Sequence, residues 1–172
     1  GDDVLGGMPL SPDYGYSWNG NIYEGGAGND TLRGTCYGDL YKFNLGDGQD
    51  LIQENGGGTG DVLRFGSGIS PSEIRIERVG DDLVFLHVNG ADRVIVQGWY
   101  MGEGYRLERM EFGDGRVFGL SDLQFGTTGI DVLTGTSSDT IMMGDAGNDT
   151  LNGGEGNDFL NGGSGNDTLN GG

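Results

Sequence analysis

Gly144-Asp145-Ala146-Gly147-Asn148-Asp149-Thr150-Leu151-Asn152 is followed without a break by two further nine-residue units, Gly153 to Asn161 and Gly162 to Asn170, in the same register. A fourth copy stands far upstream, at Gly25 to Arg33. The shared form is Gly-Gly-x-Gly-Asn-Asp-x-Leu-x, and its two halves read differently. In the first half, glycine reaches backbone angles closed to other residues and lets carbonyls crowd inward. Asparagine tolerates the left-handed region, and the aspartate adds negative charge. Together they form a donor set for a hard divalent cation such as calcium, which takes about six to eight oxygens at roughly 2.3–2.6 Å. The second half, Thr-Leu-Asn or Phe-Leu-Asn, is a minimal strand whose one apolar residue points inward.

Spacing extends the pattern into three dimensions. Asp149, Asp158 and Asp167 are nine residues apart, so alternate copies are eighteen apart. Two repeats then make one turn of a coil, and alternating copies build two short parallel sheets that face each other. Leu151 and Leu169 are expected to stack on one side with Leu160 opposite, successive turns lying about 4.8 Å apart. A flexible Gly-rich linker has no reason to place an aliphatic residue two positions after each aspartate, as Leu32, Leu151, Leu160 and Leu169 stand. An EF-hand is excluded, because no Asp-x-Asp-x-Asp-Gly loop with a distal glutamate occurs.

The nonapeptide resembles that of the RTX (repeats-in-toxin) haemolysin-type calcium-binding proteins. The resemblance implies an all-β chain built on a parallel β-roll, with several Ca²⁺ ions as cofactor. Each ion would lie between loops of adjacent turns, held by aspartates and carbonyls from both. The first candidates are Asp30, Asp149, Asp158 and Asp167. The accompanying turn positions are Gly25, Ala27 and Gly28, then Gly144, Ala146 and Gly147, then Gly153, Glu155 and Gly156, and finally Gly162, Ser164 and Gly165.

Degenerate copies surround the clean ones. Gly126-Thr127-Thr128-Gly129-Ile130-Asp131-Val132-Leu133-Thr134 keeps Asp131 and Leu133, so Gly126, Gly129 and Asp131 join the candidates. In Gly135 to Ile141, Asp139 arrives one residue early and is a weaker candidate; an extra residue at Met142-Met143 is expected to restore the phase. Upstream, Asp30 is followed by Asp39, Asp50 and Asp61 at spacings of nine, eleven and eleven, each with an apolar residue two positions on (Tyr41, Ile52, Leu63). The longer spacings predict wider turns with fewer ions, and Asp39, Asp50 and Asp61 join the metal candidates. Gly1 to Gly7 reads as the tail of one more repeat, and Gly171-Gly172 as the opening of another, so both ends are expected to be cuts within a larger array.

Between Gly7 and Asn21 the repeat is interrupted by a Pro- and Gly-marked loop with Tyr14, Tyr16 and Trp18, expected to cover an open end of the stack, with sugar stacking as the alternative. From about Arg64 to Gly119 the period changes. Ile74 to Val79 and Leu83 to Val88 alternate, Asn89-Gly90 is a hairpin turn signal before Arg93 to Val96, and a second hairpin turns at Gly113-Asp114-Gly115. The order Gly46-Asp-Gly-Gln-Asp50, Asp61-Val-Leu-Arg-Phe65, Ile69-Ser-Pro71 and Glu111-Phe-Gly-Asp-Gly115 resembles the haemolysin-type calcium-binding-related region that accompanies RTX repeats. The expected organisation is a β-roll block over 1–63 with a loop insertion at 8–20, a small antiparallel β-hairpin domain over 64–119 that caps it, and a second roll block over 120–172. Trp99, Tyr100, Tyr105 and Phe112 are candidates for the joint between cap and roll.

Charge follows the repeats. The net charge of −18 divides into −8 over 1–63, −2 over 64–119 and −8 over 120–172. One leucine per nine residues does not offset that self-repulsion together with the ordering entropy of so much glycine. Metal binding is therefore expected to be part of the folding free energy. The acidity argues against nucleic acid as a partner, and no apolar run is long enough for a transmembrane helix. Catalysis finds little support: His87 is the only histidine and sits in a predicted strand, and Cys36 is the only cysteine. The expected function is a calcium-dependent folding and structural module without catalysis of its own; the resemblance implies that it belongs to a large secreted RTX protein, a toxin, adhesin or exoenzyme, with Gram-negative type I export. Its partners would be calcium ions and neighbouring repeats of a parent chain. The alternatives are an adhesive module that binds a glycan or protein receptor, and an accessory module of a secreted protease, lipase or alginate epimerase.

Overall fold

The structure, a computed structural model, describes residues 1–6, 20–55 and 57–172. The aromatic segment Met8 to Trp18, expected to be a cap, lies outside the described residues. No α-helix occurs among the described residues, only 3-10 turns at Pro71–Glu73, Glu103–Tyr105 and Leu120–Asp122. The chain divides into two units, Gly1–Val117 and Phe118–Gly172.

In the first unit, strands β1 (Val4–Gly6), β2 (Ile22–Glu24), β3 (Thr31–Arg33), β4 (Leu40–Phe43), β5 (Gln49–Gln53) and β6 (Val62–Phe65) alternate between two parallel sheets. One sheet aligns Leu5, Leu32 and Ile52 in a column. The other aligns Tyr23, Tyr41 and Leu63. Leu32, Ile52, Tyr23, Tyr41 and Leu63 are all buried, and the Tyr23 and Tyr41 rings stack at 5.1 Å. The apolar residue two places after each aspartate is thus the rung of an internal ladder. Burying one such side chain stabilises by roughly 1.5–3 kcal/mol.

The middle segment forms the expected hairpins but does not stand apart as a domain. β7 (Ile74–Val79) and β8 (Asp82–His87) pair antiparallel, and β8 pairs antiparallel with β9 (Arg93–Val96) across the Asn89-Gly90 turn. β9 also lies parallel against β5, setting Val96 beside Ile52. β10 (Arg109–Glu111) lies parallel against β6, setting Met110 beside Leu63. The unit therefore runs from Gly1 to Val117 without a break at 63/64. The physical reason is that Val96 and Met110, both fully buried, continue the two apolar columns by one rung each. After β10 comes a turn in which Phe112 N donates to Arg116 O at 2.9 Å, and then the short strand β11 (Val117–Gly119). Of the aromatic residues expected at the joint, Phe112 stacks on Phe65 at 4.8 Å and Trp99 is buried. Tyr105 remains about a third exposed, and Tyr100 lies beneath the Arg78 guanidinium at 4.2 Å.

The second unit is the coil that the nonapeptides predict. β12 (Leu123–Phe125), β14 (Ile141–Met143) and β16 (Phe159–Asn161) form one parallel sheet. β13 (Val132–Thr134), β15 (Thr150–Asn152) and β17 (Thr168–Asn170) form the other. Leu133, Leu151 and Leu169 are in register, and Leu160 stands in the opposite sheet beside Met142. Ile141 pairs with Phe159, so Gly135 to Met143 is a complete nine-residue copy with Met142 at the leucine position. The phase shift and extra residue expected there do not occur. The copy simply carries aspartate at its fifth position and threonine at its sixth.

Candidate metal centres

The aspartates at the sixth position share one geometry. Asp131 N donates to Asp149 Oδ1, Asp149 N to Asp167 Oδ1 and Thr140 N to Asp158 Oδ1, each at 2.9 Å and each across eighteen residues. In the first unit, Asp3 N donates to Asp30 Oδ1 at 2.6 Å, Asp30 N to Asp50 Oδ1 at 3.0 Å and Asp39 N to Asp61 Oδ1 at 2.7 Å. Glu108 takes the same role for Asp61, accepting its N–H at 2.7 Å. One carboxylate oxygen thus ties each turn to the preceding one, and the other is left to face its own glycine turn.

That second oxygen divides the copies. Oδ2 of Asp30, Asp50, Asp149 and Asp158 is buried and has no hydrogen-bond partner. A Cβ on Gly25, Gly144, Gly153 or Gly162 would collide with Oδ2 of Asp30, Asp149, Asp158 or Asp167 respectively. The first glycine of each copy therefore keeps open the space into which the oxygen points. In two degenerate copies the oxygen is satisfied from within. Asp39 Oδ2 accepts Thr35 N at 2.7 Å and Thr35 Oγ1 at 3.0 Å, and Asp131 Oδ2 accepts Thr127 N at 2.7 Å and Thr127 Oγ1 at 2.9 Å.

The fifth position forms a separate row. Asn148 Oδ1 accepts Asn166 N and Asp139 Oδ1 accepts Asn157 N, both at 2.8 Å, while Asn29 Oδ1 accepts Gln49 N at 3.0 Å. Asp139 thus sits in the asparagine row, bracing the next coil, and Thr140 occupies the place of the sixth-position aspartate. The third-position residues Ala146 and Ser164 face each other across an isolated parallel bridge, as do the fourth- and equivalent-position glycines Gly28 and Gly48.

A group that the periodicity did not single out completes the first unit. Glu54 follows β5 where Gly34 follows β3, since Arg33 pairs with Gln53. Its side chain turns inward to meet Asp39 and Asp61; all three carboxylates are buried, with ligand-type oxygens within 4.8 Å of one another. Tyr41 Oη donates to Glu54 Oε1. Burial pushes Glu54 up to about 8, opposed by the Tyr41 bond and reinforced by Asp61 and Asp39. Burial likewise pushes Asp50 and Asp61 up to about 7. The signal in the sequence was a glutamate in a glycine's slot.

The donor set fits a hard cation. The buried Oδ2 atoms without partners are carboxylate oxygens, and leaving such atoms unpaired costs several kcal/mol in order of magnitude. Ion pairs among the described residues lie elsewhere, such as Lys42 with Glu24 and Arg64 with Glu111, and none involves a sixth-position aspartate. His87 is buried in β8, with Nδ1 accepting Asn89 N, and Cys36 is exposed.

Coiled parallel strands joined by acidic glycine turns define the chain as a calcium-binding β-roll. Comparison with known families agrees: four copies of the RTX calcium-binding nonapeptide repeat match over residues 17–35 and 143–172, and the haemolysin-type calcium binding protein related domain matches over 82–122. The chain thus carries RTX haemolysin-type calcium-binding repeats together with the related domain, and calcium is the cofactor of such repeats. It is similar to the Iron-regulated protein FrpA of Neisseria meningitidis serogroup C, at 33% identity over 102 residues, which cover 54% of this chain. The match spans 9% of that relative's length. No helix among the described residues is long and apolar enough to cross a membrane.

Proposed function

We propose that this chain is a calcium-dependent folding and structural module of a larger secreted protein, without catalysis of its own. The observation that carries the reading is the set of buried, unpartnered Oδ2 atoms on Asp30, Asp50, Asp149 and Asp158, each within a glycine-bearing turn. These oxygens and that of Asp167, with carbonyls of the surrounding turns, would hold the ions. A bound cation there neutralises charge that the −18 chain otherwise keeps at close quarters. Ion binding is then coupled to folding of the coil. Such coupling suits secretion, because extracellular calcium modules typically have Kd near 10⁻⁴–10⁻³ M, far above cytosolic calcium.

The test is far-ultraviolet circular dichroism of metal-free protein during titration with calcium, with magnesium as control. The reading expects a cooperative rise in β signal with calcium alone. A spectrum already fully β without metal, and unmoved by calcium, would reject it.

A further inference from the structure

Across the copies of Asp30, Asp39, Asp50, Asp131, Asp149 and Asp158 the second residue divides the turns into two kinds. In the turns whose aspartate keeps an unpartnered Oδ2, this residue is in the left-handed region: Gly26 at φ 75°, Gly46 at 89°, Asp145 at 72° and Gly154 at 100°. Thr35 and Thr127, at the same position, have ordinary negative φ. There the threonine N–H and hydroxyl both close on the aspartate, and the hydroxyl oxygen accepts the N–H two residues on, from Tyr37 at 3.3 Å and from Gly129 at 3.1 Å.

We propose that this second residue determines whether a turn takes up a calcium ion. The inference rests on the calcium reading above and deepens it. Glycine, or the αL-tolerant Asp145, lets the backbone turn away, so that the aspartate's outer oxygen is held for a cation. A β-branched threonine stays out of that region and spends two donors on the same oxygen, which removes both the need for a cation and the lone pairs it would use. The turns of Asp39 and Asp131 are then self-capped and empty of calcium. The consequence for the second unit is directional. Its first coil holds one self-capped turn, at Asp131, and one in which Thr140 replaces the aspartate, so dependence on calcium begins at Gly144.

The test counts ions on the whole 172-residue chain by isothermal titration calorimetry and native mass spectrometry, with circular dichroism to establish folding. Thr127→Gly should bind one more calcium ion than the wild type and melt at lower temperature without metal, while Thr127→Ser, which keeps the hydroxyl, should leave the count unchanged. Gly26→Thr, at a site with open space around a new side chain, should bind one ion fewer. Unchanged counts in folded Thr127→Gly or in folded Gly26→Thr would overturn this inference alone. A wild-type chain that binds no calcium would overturn the calcium reading and this inference together.

Discussion

The backbone N–H of Asp149 donates to Oδ1 of Asp167, one full coil later, at 2.9 Å, while Asp149 Oδ1 itself accepts the N–H of Asp131 at 2.9 Å. Each aspartate therefore has a structural oxygen that faces backward and an outer oxygen that faces its turn. Deleting the carboxylate removes both. Asp149→Ala is expected to lose calcium and also to strand the Asp131 N–H, at a cost of about 1–3 kcal/mol even in metal-free protein. Urea denaturation with and without calcium separates the two losses, and equal stability of mutant and wild type without metal would contradict the backward bond.

Alanine at Gly144 tests the opposite half of the same turn. The added Cβ would collide with Asp149 Oδ2 and with Gly162 O. Calcium titration of Gly144→Ala should show the midpoint shifted to higher concentration by tenfold or more, since a displacement of one ligand oxygen costs about 1.4 kcal/mol or above. An unshifted midpoint would show that the turn has room to spare.

The rungs of the coil should differ sharply in weight. Leu151 is fully buried between Leu133 and Leu169, whereas Leu169, in the last coil, is about half exposed. In calcium-loaded protein Leu151→Ala should cost about 2–5 kcal/mol, and Leu169→Ala clearly less. Chemical denaturation of the two variants compares them directly.

Acid should stabilise the metal-free first unit. Burial raises Glu54 from 4.5 to about 8, and Asp50 and Asp61 from 3.8 to about 7. A carboxyl raised in the folded state contributes stability that is complete below its unfolded pKa and is lost as pH climbs through the folded value. The metal-free protein is therefore expected to lose stability between about pH 4 and pH 8. Glu54→Gln should flatten that slope at its alkaline end. A stability that rises over the same window would refute the assignment.

How much could be read in advance depends on where the relevant neighbour lies. The second unit was legible because Leu151 and Leu169, eighteen residues apart, announce their pairing through the repeat itself. The places of β9 and β10 were not, because Ile52 and Val96 are brought together across a long excursion through two hairpins, and nothing local in Arg93 to Val96 names β5 as its partner. Asp139 reads in the sequence as one residue early, and the pairing of Ile141 with Phe159 keeps it there, one position before the sixth-position row. Thr35 and Thr127 were visible as departures from Gly-Gly, but that each turns its hydroxyl onto its own aspartate is a matter of three-dimensional geometry. Glu54 was hidden for a simpler reason: it occupies a glycine slot in a copy already stretched to eleven residues.

Every strand pairing in the second unit joins residues eighteen apart, so no coil reaches beyond its immediate neighbours. In statistical terms this part of the molecule is a linear lattice with nearest-neighbour coupling. Disruption at one coil is felt by the coils on either side and fades beyond them, and opening proceeds as unzipping from a boundary. The steepness of a calcium titration then measures how strongly adjacent coils are coupled.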